Sequence, residues 1–371
     1  MDWKLVREEF PALRDWIYLN TATMGQLPRR AEEAAARHFA HRNALACTDF
    51  LDWYDDADRL RGKLAQLFGG LAGDYAFFPA ASPVLSLLVG GIDWQPGDRI
   101  VTLLDEFPNH VYHPLLLAER GVELVETDWV GFREAVEGAR TRLVALSSMN
   151  YMTGFRPPLV ETSRWLKERG VLFYVDGTQG AGALRYDLGA IDPDVFAVHG
   201  YKWMLAPAGA AFAYVSPRVR EWLRPNVVGW RSHKDWRNVN ALHHGRPEFA
   251  AEAERYEGYM LPALLLCMLE ASVDLMLELG PEAIESRVLE LSGFVRAAAI
   301  ALGGRVVTDG ESPILAIRFE GRDSASLTKD LKKNSIIVSS RHGNLRLSTH
   351  FYNSDDDVAR FYSCMRMCLT A

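Results

Sequence analysis

Residues 171–179 read VLFYVDGTQ, an apolar run that ends in an acid, a glycine and an amide. An uninterrupted apolar run before Asp176 and Gly177 is typical of a strand that is covered on both faces and then turns. Residues 194–203 read DVFAVHGYKW and repeat this pattern, with Lys202 just past the second run. Neighbouring parallel strands end at the same edge of a sheet, so we expect Asp176 and Lys202 to lie side by side.

Further β-rich runs surround these two, and helical patterns separate them. Together the runs cover residues 75–78, 99–104, 122–126, 142–147, 171–176, 195–198 and 210–215. This alternation predicts an α/β fold, with a large domain built on a mostly parallel, seven-stranded sheet that carries helices on both faces. Ligands of such sheets bind beyond the carboxyl ends of the strands, where Asp176 and Lys202 are expected.

The carboxyl-terminal part has a different pattern. Two long helical patterns at residues 261–279 and 281–301 follow a polar stretch that ends near Glu257. Strand patterns then occur at residues 305–308, 314–319, 336–339 and 345–348, with helical patterns at 324–333 and 354–369. We therefore expect a large domain over residues 15–250 and a small α+β domain formed by residues 1–14 and 251–371.

The composition excludes several classes of protein. The chain has 371 residues, 49% of them hydrophobic and 24% charged, as in ordinary globular proteins. Its formal charge is −7 and its basic residues are not clustered, so we expect no nucleic-acid partner. The most apolar segment contains Glu270, Asp274 and Glu278, so we expect no membrane span. The first residues lack the pattern of a secretory signal, which predicts a cytoplasmic protein.

The cysteines and histidines do not follow a metal-binding pattern. The cysteines are Cys47, Cys267, Cys364 and Cys368, and their spacing favours core positions over zinc ligands. The histidine pairs are His110 with His113 and His243 with His244, and neither lies in an HExxH or comparable frame. We predict surface or helix-face histidines and no metal site.

Lys202 and Asp176 indicate a functional site only in combination. Alone, a lysine is usually a solvated charge, and an Asp before Gly usually forms a turn. A lysine enclosed beside Trp203 is partly desolvated, which lowers its pKa and favours Schiff-base chemistry. Residues 80–82, Ala-Ala-Ser, add a strand-to-helix turn whose free amides suit a phosphate. An imine-forming lysine, an acid and a phosphate cradle are the parts that pyridoxal 5′-phosphate (PLP) requires.

Several short motifs along the chain support the same cofactor. They are residues 18–22 (YLNTA), 106–109 (EFPN), 151–154 (YMTG), 176–179 (DGTQ), 200–203 (GYKW), 229–230 (GW) and 346–348 (RLS). With these motifs in this order, the chain resembles the class V aminotransferase and cysteine desulfurase group of fold-type I PLP enzymes, which includes the kynureninases. The resemblance spans nearly the whole chain and implies a homodimer whose site lies near the subunit interface.

The resemblance assigns roles to residues that match these motifs. It implies that Lys202 forms the Schiff base and moves the α-proton, and that Asp176 partners the pyridine nitrogen. It further implies that Phe107 stacks on the pyridine ring and that Gln179 hydrogen-bonds the phenolic oxygen. The strand-to-helix turn predicts phosphate contacts for Ala81 and Ser82, with His199 and Tyr201 as further donors. The resemblance implies that Trp230 reaches the phosphate region of its own or of the partner subunit.

Substrate-binding roles also come from the resemblance. It implies that Arg346 binds the α-carboxylate of an amino acid, a task for which a guanidinium fork is suited. The alternative for Arg346 is an exposed strand residue. Asn20, Thr21 and Tyr151 are expected close to this substrate.

The chain departs from the group in three places. Cysteine desulfurases carry a nucleophilic cysteine shortly before the carboxylate-binding arginine, whereas residues 339–346 (SSRHGNLR) are compact and contain no thiol. Ala80 and Ala81 are poorer in hydroxyls than the usual phosphate loop. Tyr259 and Met260 stand where the group often has a threonine. The first departure argues against persulfide transfer by the usual route.

These residues predict an enzyme whose small-molecule substrate is an amino acid. We expect a PLP-dependent aminotransferase of class V type, and the alternative is a carbon–sulfur or kynureninase-like lyase, or an epimerase, on the same scaffold. A binding protein that has lost catalysis would have no need of Lys202, Asp176, Gln179 and Arg346 together.

Overall fold

The structure is a computed structural model that describes residues 1–138 and 140–370. Its strands in chain order are β1 (Ile17–Tyr18), β2 (Tyr75–Phe78), β3 (Asp98–Leu103), β4 (Glu123–Thr127), β5 (Arg140–Ser147), β6 (Leu172–Asp176), β7 (Val195–His199), β8 (Ala211–Val215), β9 (Arg305–Val306), β10 (Ile314–Arg318), β11 (Ile336–Ile337), β12 (Ser339–Arg341) and β13 (Asn344–Ser348).

The α-helices alternate with these strands. In chain order they are α1 (Trp3–Arg7), α2 (Arg29–Leu45), α3 (Asp52–Phe68), α4 (Ala81–Gly91), α5 (Asn109–Leu116), α6 (Phe132–Glu137), α7 (Leu159–Lys167), α8 (Leu188–Ile191), α9 (Pro217–Arg220), α10 (Ala263–Leu279), α11 (Pro281–Ala301), α12 (Ser324–Lys333) and α13 (Asp355–Thr370). None of the helices in the described ranges combines the length and the apolar character needed to cross a membrane.

The large sheet has seven strands in the order β2-β8-β7-β6-β5-β3-β4. Strand β8 runs antiparallel to both of its neighbours, and the other pairs are parallel. Strands β2, β5, β7 and β8 are buried on both faces for most of their length, as uninterrupted apolar runs require. The mostly parallel seven-stranded sheet predicted from the sequence is confirmed, and each observed strand begins and ends within two residues of its predicted range.

Two hydrophobic cores flank this sheet. One contains Phe77, Phe173 and Phe196 and extends to helices α3 and α10. The other, on the opposite face, contains Ala76, Tyr174 and the apolar side of α4. Apolar residues on both faces fix the sheet in the interior, so its carboxyl edge is the place where polar side chains can gather.

The carboxyl-terminal part forms a four-stranded antiparallel sheet in the order β12-β13-β10-β9. Helices α11, α12 and α13 cover it and enclose a third core that includes Leu315, Leu345 and Phe361. The predicted strand at residues 336–339 is divided, because β11 pairs with β1 while β12 pairs with β13. A run of β-forming residues does not reveal that its two halves serve different sheets.

The division into a large domain (residues 15–250) and a small domain (residues 1–14 and 251–371) stays a prediction. Packing crosses both domain limits, since β1 pairs in parallel with β11 and helix α10 packs against α2 and α3. Asn20 also bridges to Ser348 of β13. The segment around residues 17–25 therefore connects the small sheet to the carboxyl edge of the large one.

Candidate active site

A small cavity opens at the carboxyl edge of the large sheet. Strands β5, β6 and β7 end here, and so do the turns that follow β2 and β3. The cavity is lined by Ala81, Phe107, Asn109, Ser147, Tyr151, Asp176, Thr178, Gln179, His199, Tyr201 and Lys202. The structure thus brings together most of the cofactor-binding residues predicted from the sequence.

Lys202 lies in this cavity with 7% of its surface exposed. Its Nζ is 5.5 Å from the centre of the Phe107 ring and 5.3 Å from that of Tyr201. Burial lowers the pKa of Lys202 to about 8; Asp176 opposes this shift, and the Arg346 and Arg341 guanidinium groups add to it. A larger share of the amine is therefore neutral near physiological pH, as a nucleophile or base requires.

The turn that carries Lys202 is held from two sides by glycines. The amide of Gly25 donates to the carbonyl of Tyr201 at 2.9 Å, and a Cβ at Gly25 would lie 1.9 Å from the Lys202 carbonyl oxygen. Gly182 has a φ of +99°, and a Cβ there would lie 2.3 Å from the Trp203 carbonyl oxygen. Side chains at these positions would displace the turn, so glycine fixes where Lys202 stands.

Asp176 is the first member of a buried row of charges. One carboxylate oxygen of Asp176 accepts from the Thr178 amide at 2.8 Å, and the other lies 3.6 Å from Nε2 of His110. Nδ1 of His110 lies 3.4 Å from Glu106, whose carboxylate accepts from the amide and hydroxyl of Ser147 at 2.8 and 2.5 Å. The row Glu106–His110–Asp176 therefore runs from strand β5 to the cavity.

The row sets the charges at the site. Burial alone would lower the pKa of His110, but Glu106 and Asp176 reverse this effect and raise it above its usual value. Burial alone would raise the pKa of Asp176, but His110 and the Thr178 hydrogen bonds lower it overall. His110 is fully buried and its ring nitrogens make no hydrogen bond within the described residues. His110 and the Thr178 hydrogen bonds thus favour the ionised form of Asp176, and Asp176 with Glu106 favours the charged form of His110.

The amino end of α4 supplies free backbone amides. Its N-cap is Ala80, which has no side chain that could satisfy them, and Ala81 lines the cavity. His199 stands nearby, where its Nε2 accepts from the amide of Gly209 at 3.3 Å. Burial and Lys202 lower the pKa of His199 to about 4, so its ring is neutral. This end of the cavity offers donors and a helix dipole to an anion.

Gln179 is held rigidly beside Lys202. Its Oε1 accepts from the indole nitrogen of Trp203 at 2.7 Å, and its Nε2 donates to the carbonyl of Ala22 at 3.0 Å. An amide nitrogen carries two hydrogens, so one donor of Gln179 stays available in the cavity.

Arg346 is buried rather than exposed, with 1% of its surface accessible. It donates to the Ser339 hydroxyl, to the Tyr151 carbonyl and to the Thr23 hydroxyl at 3.1, 2.6 and 2.6 Å. Burial is the main cause that lowers the pKa of this guanidinium to about 10. The alternative of an exposed strand residue is wrong.

Some predicted site residues lie away from the cavity lining. The Thr21 hydroxyl is fully buried against the Tyr352 hydroxyl at 2.6 Å, and the Asn20 side chain accepts from Thr23 at 2.9 Å. Trp230 packs on Tyr54 and Trp236 instead of reaching the cavity. Ser82, in the first turn of α4, is half-buried behind the lining residue Ala81. Thr21 and Asn20 are buried in neighbouring contacts and Trp230 is 39% exposed, and motif matching cannot anticipate either placement.

Other residues of the site were missed by sequence reasoning. Glu106 was recognised only as part of a motif, and His110 was expected on a surface or helix face, although it is buried between two carboxylates. Their i, i+4 spacing at the start of α5 was the available signal. Arg341, which lowers the pKa of Lys202, was also missed.

The cysteines lie outside the cavity. Cys47 follows α2, Cys267 lies on α10, and Cys364 and Cys368 lie on α13. Burial raises the pKa of Cys267 and Cys364 to about 11, so both thiols stay protonated. Within residues 1–138 and 140–370, no group of His, Cys, Asp and Glu side chains has the arrangement of a metal site.

The chain matches the family model described as aminotransferase class-V over residues 17–361. It is 26% identical to a probable cysteine desulfurase of Methanothermobacter thermautotrophicus, with 95% of this chain and 94% of that protein covered. It is 27% identical to the isopenicillin N epimerase of Streptomyces clavuligerus, with 97% and 96% covered.

A solved structure has the same fold. It is the cystine C–S lyase C-DES in complex with its reaction product cysteine persulfide, with a TM-score of 0.88 and 21% identity, and the match covers 96% of this chain and 99% of that one. The fold-type I architecture expected from the resemblance is confirmed.

Proposed function

The chain belongs to the aminotransferase class-V family, and from this premise we propose that it is a PLP-dependent lyase that breaks a carbon–sulfur bond of an amino acid. The observation that carries the proposal is Lys202, which is enclosed in a cavity with Asp176 and Phe107 and has a lowered pKa. The alternative outcomes of the same α-proton chemistry are transamination and epimerisation.

The described residues fit PLP. The uncapped amides at the start of α4 suit its phosphate, and the ionised carboxylate of Asp176 suits a protonated pyridine nitrogen. The half-exposed ring of Phe107 offers a flat surface for stacking, and the free amide hydrogen of Gln179 suits the phenolic oxygen. Lys202 would hold the aldehyde covalently. When bound, PLP withdraws electrons from the α-carbon of the substrate.

Lys202 performs the proton transfers. Its Nζ, lowered in pKa to about 8, takes the proton from the α-carbon of the substrate. The lowered pKa of Asp176 keeps its carboxylate ionised while Lys202 carries the proton. Arg346 orients the substrate through its α-carboxylate by exchanging its contacts with neutral oxygens for a bidentate one.

The cleavage step needs no protein thiol. After the α-proton has moved to Lys202, the carbon–sulfur bond breaks and the sulfur group leaves with the electron pair. It takes up a proton as needed and departs as sulfide from cysteine, as a persulfide from cystine or as thiosulfate from S-sulfocysteine. The remaining unsaturated amino acid takes up water and yields pyruvate and ammonium. The four cysteines lie outside the cavity, so the sulfur product leaves in solution rather than on the protein. The full-length similarity to a probable cysteine desulfurase and the shared fold with a cystine C–S lyase support this choice.

Transamination is the second candidate, because the matching family model carries that name. It would use the same Lys202 proton transfer and would differ in the carbon to which Lys202 returns the proton. The two reactions therefore differ in whether ammonium is released without a keto-acid acceptor.

A single incubation tests the proposal. The PLP-loaded chain is mixed with L-cysteine, L-cystine or S-sulfo-L-cysteine without a keto acid, while pyruvate, ammonium and cofactor absorbance are followed. We expect pyruvate and ammonium to accumulate over many turnovers with an unchanged cofactor band. Lys202→Ala should abolish turnover, and Lys4→Ala, an exposed change on α1, should leave it intact.

Three results would redirect the assignment. A stoichiometric conversion to the amine form of the cofactor would favour transamination. Exchange of the α-proton with solvent, with inversion and without pyruvate, would favour epimerisation. Failure of the chain to develop a PLP absorption band would refute the PLP assignment itself.

A further inference from the structure

The hairpin of β12 and β13 carries a second arginine beside Arg346. In its register Ser339 faces Arg346, and Arg341 faces Asn344. Side chains alternate along a strand, so these four side chains share one face of the hairpin. The turn between them contains only His342 and Gly343, with φ values of +48° and +77°, a conformation that suits a tight hairpin and fixes the register. Both arginines therefore extend toward the same region.

The two guanidinium groups meet at one hydroxyl. Nη2 of Arg346 donates to Oγ1 of Thr23 at 2.6 Å, and Nη2 of Arg341 approaches the same oxygen at 3.4 Å. Thr23 directs its own hydroxyl hydrogen to Asn20 at 2.9 Å. A single neutral oxygen thus stands between two cations.

Neutral acceptors also take up the other contacts of this pair. Arg341 donates to the Ser340 carbonyl at 2.8 Å, and Arg346 donates to the Tyr151 carbonyl and the Ser339 hydroxyl. Within the described residues no carboxylate forms an ion pair with either arginine, whereas the buried Arg61 pairs with Glu257.

The positive charges of Arg341 and Arg346 affect Lys202. Arg346 and Arg341 both contribute to the lowered pKa of Lys202, and Arg341 contributes to that of Arg346. Two cations held together without an anion repel each other, so a ligand that brings negative charge gains more there than at an isolated arginine.

We propose that Arg341 determines specificity by binding a second anionic group, carried on the side chain of the substrate, while Arg346 binds the α-carboxylate. This inference rests on the proposed function and narrows its substrate to an amino acid with an acidic side chain, such as a cysteine whose sulfur bears a carboxylate- or sulfonate-containing substituent. A planar guanidinium suits either group.

Two ligands of equal shape and different charge test the inference. L-Aspartate and L-asparagine are titrated into the PLP-loaded chain, and the dissociation constants are taken from the change in the cofactor absorption band. We expect aspartate to bind at least about tenfold more tightly than asparagine, the effect of one charge-assisted contact of about 1.4 kcal/mol. Arg341→Gln should remove most of this preference by weakening aspartate, and Arg341→Lys should retain part of it.

Arg318→Gln is the matched control. Arg318 lies on the adjacent strand β10 and donates to Asn344 at 3.2 Å, so the change removes an arginine from the same sheet without touching Thr23. It should keep the preference for aspartate. All variants should show the same cofactor band and the same far-UV circular dichroism.

Two outcomes would overturn the inference. Equal affinity of the unaltered chain for both ligands would show that no second anion is recognised. An equal loss of both ligands in Arg341→Gln would place Arg341 on the α-carboxylate instead. Either result, with an intact PLP band, leaves the proposed function standing, whereas the absence of the band refutes the function first.

Discussion

At the scale of single residues, the site depends on a charge that is balanced inside the protein. Asp176 stays ionised in a buried position because His110 lies next to it and is itself paired with Glu106. Transferring an isolated carboxylate into the interior is costly, and an adjacent cation reverses the resulting rise of its pKa. The row is therefore part of the cofactor site although two of its members do not line the cavity.

Changing His110 should alter the pH dependence of cofactor binding. His110→Gln removes the imidazole that lowers the pKa of Asp176, so this pKa should rise and the carboxylate should be lost at a higher pH. PLP affinity should fall roughly tenfold near neutral pH, with its acid limb shifted upward. Titration of the PLP band between acidic and neutral pH measures both effects.

His113→Gln serves as the control for this change. His113 lies on the same helix and contacts Ser86 at 3.0 Å, away from Asp176. It should leave the acid limb in place. An unshifted limb in His110→Gln would mean that Asp176 does not depend on its neighbour.

At the scale of elements, the turn of residues 200–205 is fixed by close backbone contacts. Leu205 has a φ of +55°, which is costly for a bulky side chain. Gly25 and Gly182 lie so close to the carbonyls of Lys202 and Trp203 that a Cβ at either position would clash. Such strain persists only where the surroundings determine it, and it holds Lys202 in place.

Gly182→Ala should therefore disturb both stability and cofactor binding. The new Cβ meets the Trp203 carbonyl, and the φ of +99° is unfavourable for alanine, so we expect a loss of about 2 kcal/mol or more in the free energy of unfolding. Denaturant titration measures the loss, and PLP titration measures the displacement of Lys202.

The matched change for comparison is Gly293→Ala. Gly293 is an exposed position of α11 at which a Cβ meets nothing within 4 Å, so alanine should be neutral or stabilising by up to about 1 kcal/mol. Equal behaviour of the two variants would contradict the argument from close contact.

Strand and helix positions of the large sheet were predictable because long apolar runs leave few alternatives. The division of residues 336–341 between two sheets was not, since β11 and β12 form one continuous β-like run. Within the site, too, positions set by local sequence were predictable and long-range contacts were not. Asp176 ends strand β6 and Lys202 follows β7, so both could be placed from the sequence, whereas the contact of Thr21 with Tyr352 joins residues 331 positions apart.

At the scale of the whole molecule, the cavity opens beside an apolar surface. On α5, Tyr112, Leu115 and Leu116 are 67%, 51% and 69% exposed, and Phe107 at the cavity is 40% exposed. A cluster of large apolar side chains on a surface is typical of a protein–protein interface. We propose that a second copy of the chain covers this surface.

Leu116→Glu should weaken this homodimer. A charge buried at the interface opposes association, so the variant should move toward the 41.6 kDa of a single chain in light scattering, while the unaltered chain gives twice that mass. Ile300→Glu, a change at an exposed apolar position of α11, should stay dimeric. A single-chain mass for the unaltered protein would contradict the proposal.

The short turn at His342 and Gly343 is also a position at which a longer loop could be inserted. Insertions are tolerated best at exposed turns between paired strands, because the register on either side is kept. His342 in this turn lies 3.4 Å from the hydroxyl of Tyr151, which lines the cavity, so a longer loop would begin beside the cavity while Arg346 stays on its strand. A thiolate on a grafted loop would attack the sulfur of the substrate, so that the S–S bond forms as the carbon–sulfur bond breaks and its electron pair stays with the carbon. The fate of the sulfur could then be redesigned without altering Lys202 or Asp176.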